Sequence, residues 1–206
     1  MSPPRPLFLF APGAGAPSSS RWMVAWRKRL DTLGEVVPFD YPYLLAGRRS
    51  PDRPPVLIAA HREALARATA TAADAAGPRA VFLIGKSMGG RIGCHLAVEG
   101  PGHPITGLIC LGYPLRAASS GALRDQVLLA LRTPILFVQG TRDPLCPLDD
   151  LAAVRARMTA PQDLYVVEGG DHSLEVSAAQ RKAACETQAD ADARVLDRIA
   201  RFCSSR

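Results

Sequence analysis

The chain has 206 residues, 48% of them hydrophobic, a one-domain length (1–206) with enough apolar side chain to bury a core without staples. The net charge is +6 and the pI near 9.4, but the arginines are scattered rather than gathered into a block or stripe, which argues against a nucleic-acid surface. The five cysteines, at 94, 110, 146, 185 and 203, suggest neither a disulfide framework nor zinc-ligand spacing, and a reducing, cytoplasmic setting fits them best.

Leu7-Phe8-Leu9-Phe10 is a short apolar run closed by Pro12-Gly13-Ala14-Gly15, which predicts a buried strand entering a tight glycine loop. The stretch Leu7 to Ala11 is too short for a signal-peptide core, and no run approaches the roughly 18 apolar residues of a membrane span. No membrane partner is expected. Ser18 to Ser20 then offer N-caps to a helix with Trp22, Trp26, Leu30 and Leu33 on one face, stopped at Gly34. The basic residues Arg21, Arg27, Lys28 and Arg29 near that helix, and Arg48, Arg49 and Arg53 further on, read as solvated surface.

Val36-Val37-Pro38-Phe39 predicts the next strand, at a sheet edge or with Pro38 at a strand end, because Pro38 cannot donate to a ladder. A loop from Tyr41 to Pro55 follows. The alanine-rich segment Val56 to Ala76 predicts a helix stopped by Gly77-Pro78. From there strands at Ala80 to Ile84, Gly107 to Leu111, Ile135 to Val138 and Asp163 to Val167 alternate with helices at Met88 to Val98, near Leu123 to Leu131, and at Leu148 to Met158. A last helix carries Val195, Leu196, Ile199 and Phe202 on one face. This alternation implies a mostly parallel sheet of about six strands with helices on both faces. In such sheets ligands bind beyond the carboxyl ends of the strands, so the loops directly after strands are where chemistry is expected.

Three of those loops stand out. Val81-Phe82-Leu83-Ile84 leads into Gly85-Lys86-Ser87-Met88-Gly89-Gly90, a G-x-S-x-G between a strand and a helix, in which glycines flank a serine held on a strained turn. A phosphate-binding loop would need glycine at position 80, where the chain has Ala80. The strand Ile135 to Val138 runs out to Asp143-Pro144, and the strand Leu164 to Val167 runs out to Gly169-Gly170-Asp171-His172. An aspartate after a strand, or a histidine in a glycine turn, has a plainer explanation alone. Ser87, Asp143 and His172 together stand in the chain order of the α/β-hydrolase nucleophile, acid and base. Asp171 is the rival acid, but adjacent residues in an extended turn point apart. Cys146 lies nearby without a glycine elbow and reads as a bystander.

With these residues in place, the chain resembles the small bacterial α/β-hydrolases, of dienelactone-hydrolase-like size, related to the testis-expressed and NSL-complex hydrolase-like proteins. The resemblance rests on Gly85-Lys86-Ser87-Met88-Gly89-Gly90-Arg91, Val138-Gln139-Gly140-Thr141-Arg142-Asp143-Pro144 and Gly170-Asp171-His172-Ser173-Leu174. Ala11-Pro12-Gly13-Ala14-Gly15-Ala16, Phe39-Asp40-Tyr41-Pro42-Tyr43 and Leu111-Gly112-Tyr113-Pro114-Leu115 extend it over nearly the whole chain. It implies the α/β-hydrolase fold and, less directly, an activity, because some relatives serve as interaction modules. The chain departs from the family at Pro12, where a histidine is frequent, and at Arg116-Ala117-Ala118-Ser119, where His-Pro-Pro-Gly is frequent. Those departures bear on substrate shape.

The expected chemistry is attack by Ser87 on a small-molecule ester, with His172 as base and Asp143 orienting it. Backbone N–H groups of Met88 and Ala14 are expected to hold the oxyanion. Only about twenty residues separate the strands at Gly107 and Ile135, too few for a large cap domain, so an open site is expected, with small walls from Tyr41, Tyr43 and Leu115. No metal or cofactor motif is visible. Gly13-Ala14-Gly15 could open a dinucleotide fingerprint, but Ser18 replaces its third glycine and Pro17 interrupts the helix start. The competing class is a hydrolase fold used as a protein-interaction module.

Overall fold

The computed structural model describes residues 4–73 and 79–206. Six strands form one sheet in the order β2-β1-β3-β4-β5-β6. They are β1 (Leu7–Ala11), β2 (Glu35–Pro38), β3 (Val81–Lys86), β4 (Gly107–Leu111), β5 (Ile135–Gly140) and β6 (Gln162–Val167). Every neighbouring pair is parallel. Parallel strands need crossovers, and helices supply them: α1 (Arg21–Leu30), the short α2 (Pro42–Leu45), α3 (Pro54–Ala73), α4 (Met88–Glu99), α5 (Gln126–Ala130) and α6 (Leu148–Arg155), while α7 (Ala178–Ala184) and α8 (Gln188–Ser204) follow the last strand.

The period-two alternation of the strands divides the core in two. Leu7, Leu9 and Ala11 of β1 pack with Leu57, Ile58 and Leu65 of α3, Ile92 and Leu96 of α4, Leu128 of α5 and Leu151 of α6. Phe8 and Phe10 point the other way, to Met23, Trp26 and Leu30 of α1 and to Val195, Ile199 and Phe202 of α8. A strand covered on both faces has no polar side to show, which is why Leu7 to Phe10 reads as an unbroken apolar run.

β2 is an edge strand and ends at Pro38, so both of the places open to that proline are realised. Between β1 and β3 the winding reverses: α1 leaves β1 on one face, and α3 and α4 flank β3 on the other. Ala11 pairs with Gly85 across this point, so the first glycine loop and the Ser87 turn start side by side at the carboxyl edge. Between β4 and β5 the chain carries only the five-residue α5 and a bridge between Arg116 and Leu123, and no cap domain is inserted there.

Several expectations change in detail. The Tyr41 to Pro55 loop contains α2, and α7 stands where no helix was expected. The helix expected from Leu123 begins only at Gln126, because Leu123 is held in the bridge to Arg116. On α1 the buried residues are Met23, Trp26 and Leu30, with Trp22 half-buried and Leu33 beyond the helix end. The stop expected at Gly77-Pro78 lies outside the described residues.

Candidate active site

Ser87 sits between the end of β3 and the start of α4 with φ 50° and ψ −115°, a conformation that costs a non-glycine residue energy and persists only where the surroundings impose it. The motif glycines are part of that imposition. A Cβ on Gly85 would lie 2.2 Å from the Gly90 nitrogen, and one on Gly89 would lie 2.6 Å from the carbonyl oxygens of Ala11 and Pro12. The turn is tight because strand, helix and first loop approach at backbone distance.

The three loops expected to carry the chemistry converge. Ser87 Oγ lies 2.7 Å from His172 Nε2, and His172 Nδ1 lies 2.8 Å from Asp143 Oδ2. A carboxylate only accepts hydrogen bonds, so the Asp143 contact assigns the proton to Nδ1 and leaves Nε2 to accept the hydroxyl proton of Ser87. Exposure is graded along this relay: Ser87 is half-buried, the His172 side chain is 25% exposed, and the Asp143 side chain is wholly enclosed. The Ser87 end faces solvent and the Asp143 end does not.

Asp143 is held by more than the imidazole. Its Oδ1 accepts from the Leu145 backbone N–H at 2.9 Å, and its Oδ2 also accepts from the Gln139 amide. Gln139 is fully buried and spends its own carbonyl oxygen on the Tyr113 N–H at 3.0 Å, which ties the acid to the loop after β4. Sequence reasoning passed over Gln139; a glutamine inside an otherwise apolar strand, four residues before the acid, was the available signal. Asp171, the rival acid, accepts from the Ser173 and Glu175 backbone N–H groups at 2.7 and 3.0 Å and shapes the histidine turn instead. Cys146 is buried, and burial, reinforced by the Asp143 charge, pushes its thiol up to about 12, which keeps it protonated and unreactive at neutral pH.

Met88 is the first residue of α4, where helix N–H groups have no partner within the helix. Ala14 is exposed in the first glycine loop, and that loop lies against Ser87: a Cβ on Gly13 would be 3.6 Å from the Cβ of Ser87. The expected walls are a different matter. Tyr41, Tyr43 and Leu115 are 0% exposed and cannot line an open site. The reason is α2, which turns both tyrosines inward, where large rings gain most from burial provided the hydroxyl finds a partner. Tyr41 bonds His61 Nδ1 at 3.2 Å, and burial pushes the His61 imidazole down to about 3, so that it stays neutral. Tyr43 Oη accepts from the Gly15 N–H at 3.3 Å and makes a longer contact with the Gly13 carbonyl at 3.5 Å. It therefore braces the first glycine loop from behind. Leu115 packs in the α3–α6 side of the core with Tyr113 and Cys146.

Residues 4–204 match the model of the alpha/beta hydrolase domain. The chain belongs to the alpha/beta hydrolase family. Solved structures with the same fold include an alpha-beta serine hydrolase homologue from Coxiella burnetii, 20% identical, covering 82% of this chain and 78% of that one at a TM-score of 0.64. The esterase domain of a Rhodothermus marinus protein is 17% identical over 98% of this hydrolase and 87% of that chain, with a TM-score of 0.63. Dienelactone hydrolase from Anabaena variabilis is 18% identical over 92% of this chain and 85% of its own, with a TM-score of 0.61. Among the described residues of this hydrolase, no three His, Cys, Asp or Glu side chains gather as a metal site, and no helix is long and apolar enough to cross a membrane.

Proposed function

We propose that this hydrolase is a serine esterase that cleaves a small or exposed carboxylic ester, or a related acyl bond, through an acyl-enzyme formed on Ser87. The observation that carries the reading is the continuous hydrogen-bonded relay from Ser87 Oγ through His172 to the enclosed Asp143, on a strained turn that faces solvent. In the first step His172 Nε2 takes the Ser87 proton as Oγ attacks the carbonyl carbon, and Asp143 stabilises the imidazolium. The imidazolium then passes its proton to the leaving alkoxide. In the second step His172 draws a proton from water, hydroxide adds to the acyl carbonyl, and Ser87 leaves as the free hydroxyl.

The developing oxyanion is assigned to the backbone N–H groups of Met88 and Ala14. One such donor is worth about 3 kcal/mol of barrier, so the placing of the first glycine loop bears on rate. The short β4–β5 connection favours an unroofed site, suited to short acyl groups or to an ester displayed on a larger molecule. Within the family, the three motif loops support a place beside the small bacterial members related to the testis-expressed and NSL-complex proteins. Turnover of p-nitrophenyl acetate tests the proposal: loss of turnover in both Ser87→Ala and His172→Ala is expected, and turnover unchanged in both would leave a hydrolase fold serving as an interaction module.

A further inference from the structure

Lys86, the residue before the nucleophile, ends β3 with its side chain half-buried between two loops. Its Nζ donates to the backbone carbonyl of His172. The same ammonium stands 5.2 Å from the centroid of the Trp22 ring, and Trp22 Nε1 donates to the next carbonyl, that of Ser173, at 2.9 Å. Two successive carbonyls of the histidine turn are therefore held, one by Lys86 and one by the indole under it. The Lys86 stem meets the first glycine loop as well, since a Cβ on Gly13 would come within 3.3 Å of Lys86 Cγ. Among the described residues no carboxylate forms an ion pair with this ammonium; its charge is spent on a neutral carbonyl and an aromatic face.

We propose that Lys86 is a positioning residue, tying the His172 backbone to the nucleophile turn so that Nε2 stays on Ser87 Oγ. This rests on the esterase reading above. A triad drawn from separate loops works only while those loops keep register, and a sub-ångström drift of the imidazole lengthens the contact through which the proton moves. Lys86 joins the two loops beside the Ser87–His172 contact itself, since it is the residue next to Ser87 and its Nζ reaches the His172 carbonyl.

The tie is sensitive to protonation. Burial pulls the ammonium down to about 8, against the opposing effect of the Asp143, Asp171 and Glu175 carboxylates. Asp143 comes from the loop after β5, and Asp171, Glu175 and His172 come from the segment after β6; α1 faces the ammonium with uncharged Trp22, and the first loop faces it with Gly13. Above that pH the charged donor becomes a neutral amine, and the bond to the His172 carbonyl weakens.

The test is the rate at which a fluorophosphonate labels Ser87, followed by mass spectrometry across a pH series, in the wild type, Lys86→Met and Lys86→Arg. The wild-type rate is expected to fall on the alkaline side of pH about 8. Lys86→Met is expected to label about tenfold more slowly with no alkaline fall, as loss of one charge-assisted bond implies. Lys86→Arg, charged throughout, is expected to keep its rate within about threefold and also to lack the fall. Wild-type rate and profile in Lys86→Met, or an alkaline fall that persists in Lys86→Arg, would overturn the proposal; if Lys86→Met does not fold, Lys86→Arg decides alone. A wild type that never labels contradicts the esterase reading itself, a result distinct from labelling that is indifferent to Lys86.

Discussion

The Gln139 amide donates to the Asp143 oxygen that also accepts from His172, so the acid is fixed from inside the sheet as well as from the active-site face. Replacing Gln139 by leucine removes that donor and leaves the Tyr113 N–H without its acceptor. The expected result is a kcat lower by about tenfold with KM little changed, and a stability loss of about 1–3 kcal/mol, read from steady-state kinetics and a urea titration.

Tyr43 contributes through its hydroxyl, which touches the Gly15 N–H and the Gly13 carbonyl. Tyr43→Phe keeps the buried ring and removes the brace. A change in Tm of no more than a few degrees is expected, together with a several-fold drop in kcat, because the loop proposed to position an oxyanion donor is loosened while the core is not. A drop in Tm with kcat intact would assign Tyr43 to stability alone.

Cysteine chemistry separates bystander from nucleophile. Cys185 is exposed, whereas Cys146 is buried with its thiol pushed up to about 12. Iodoacetamide at neutral pH is expected to alkylate Cys185, to leave Cys146 unmodified in a peptide map, and to leave ester turnover unchanged.

The nucleophile turn is close-packed at backbone level. Gly85→Ala would set a methyl group 2.2 Å from the Gly90 nitrogen, and neither strand nor helix can give way without disturbing the other. Destabilisation of at least about 3 kcal/mol is expected, measurable as a shifted denaturation midpoint or as loss of soluble protein.

The parts of this molecule that were legible in the sequence are those where one local rule decides. β4 was read at its observed bounds, Gly107–Leu111, because a strand buried on both faces is an uninterrupted apolar run. The meeting of Ser87, Asp143 and His172 was legible because each follows such a strand, and parallel pairing carries all the strand ends to one edge. α7 was not legible, since none of its residues is buried and it writes no apolar stripe. Tyr41 and Tyr43 were misplaced for a different reason: a proline-rich loop reads as exposed, and only the fold reveals that α2 and its N-cap Tyr41 bury both rings, just as it reveals that Leu115, after β4, packs into the core. The contacts of Gln139 and Lys86 were not legible, because they are made to the Tyr113 N–H, the Asp143 carboxylate and the His172 carbonyl, groups that only the folded loops bring within reach.

The most direct test of the account is the intact mass of the protein after exposure to a fluorophosphonate, with the modified residue located by peptide mapping. The account predicts a single adduct on Ser87, absent from Ser87→Ala and formed at least about a hundredfold more slowly in His172→Ala, as loss of a general base implies. An unmodified wild type, or an adduct that persists in Ser87→Ala, would contradict it.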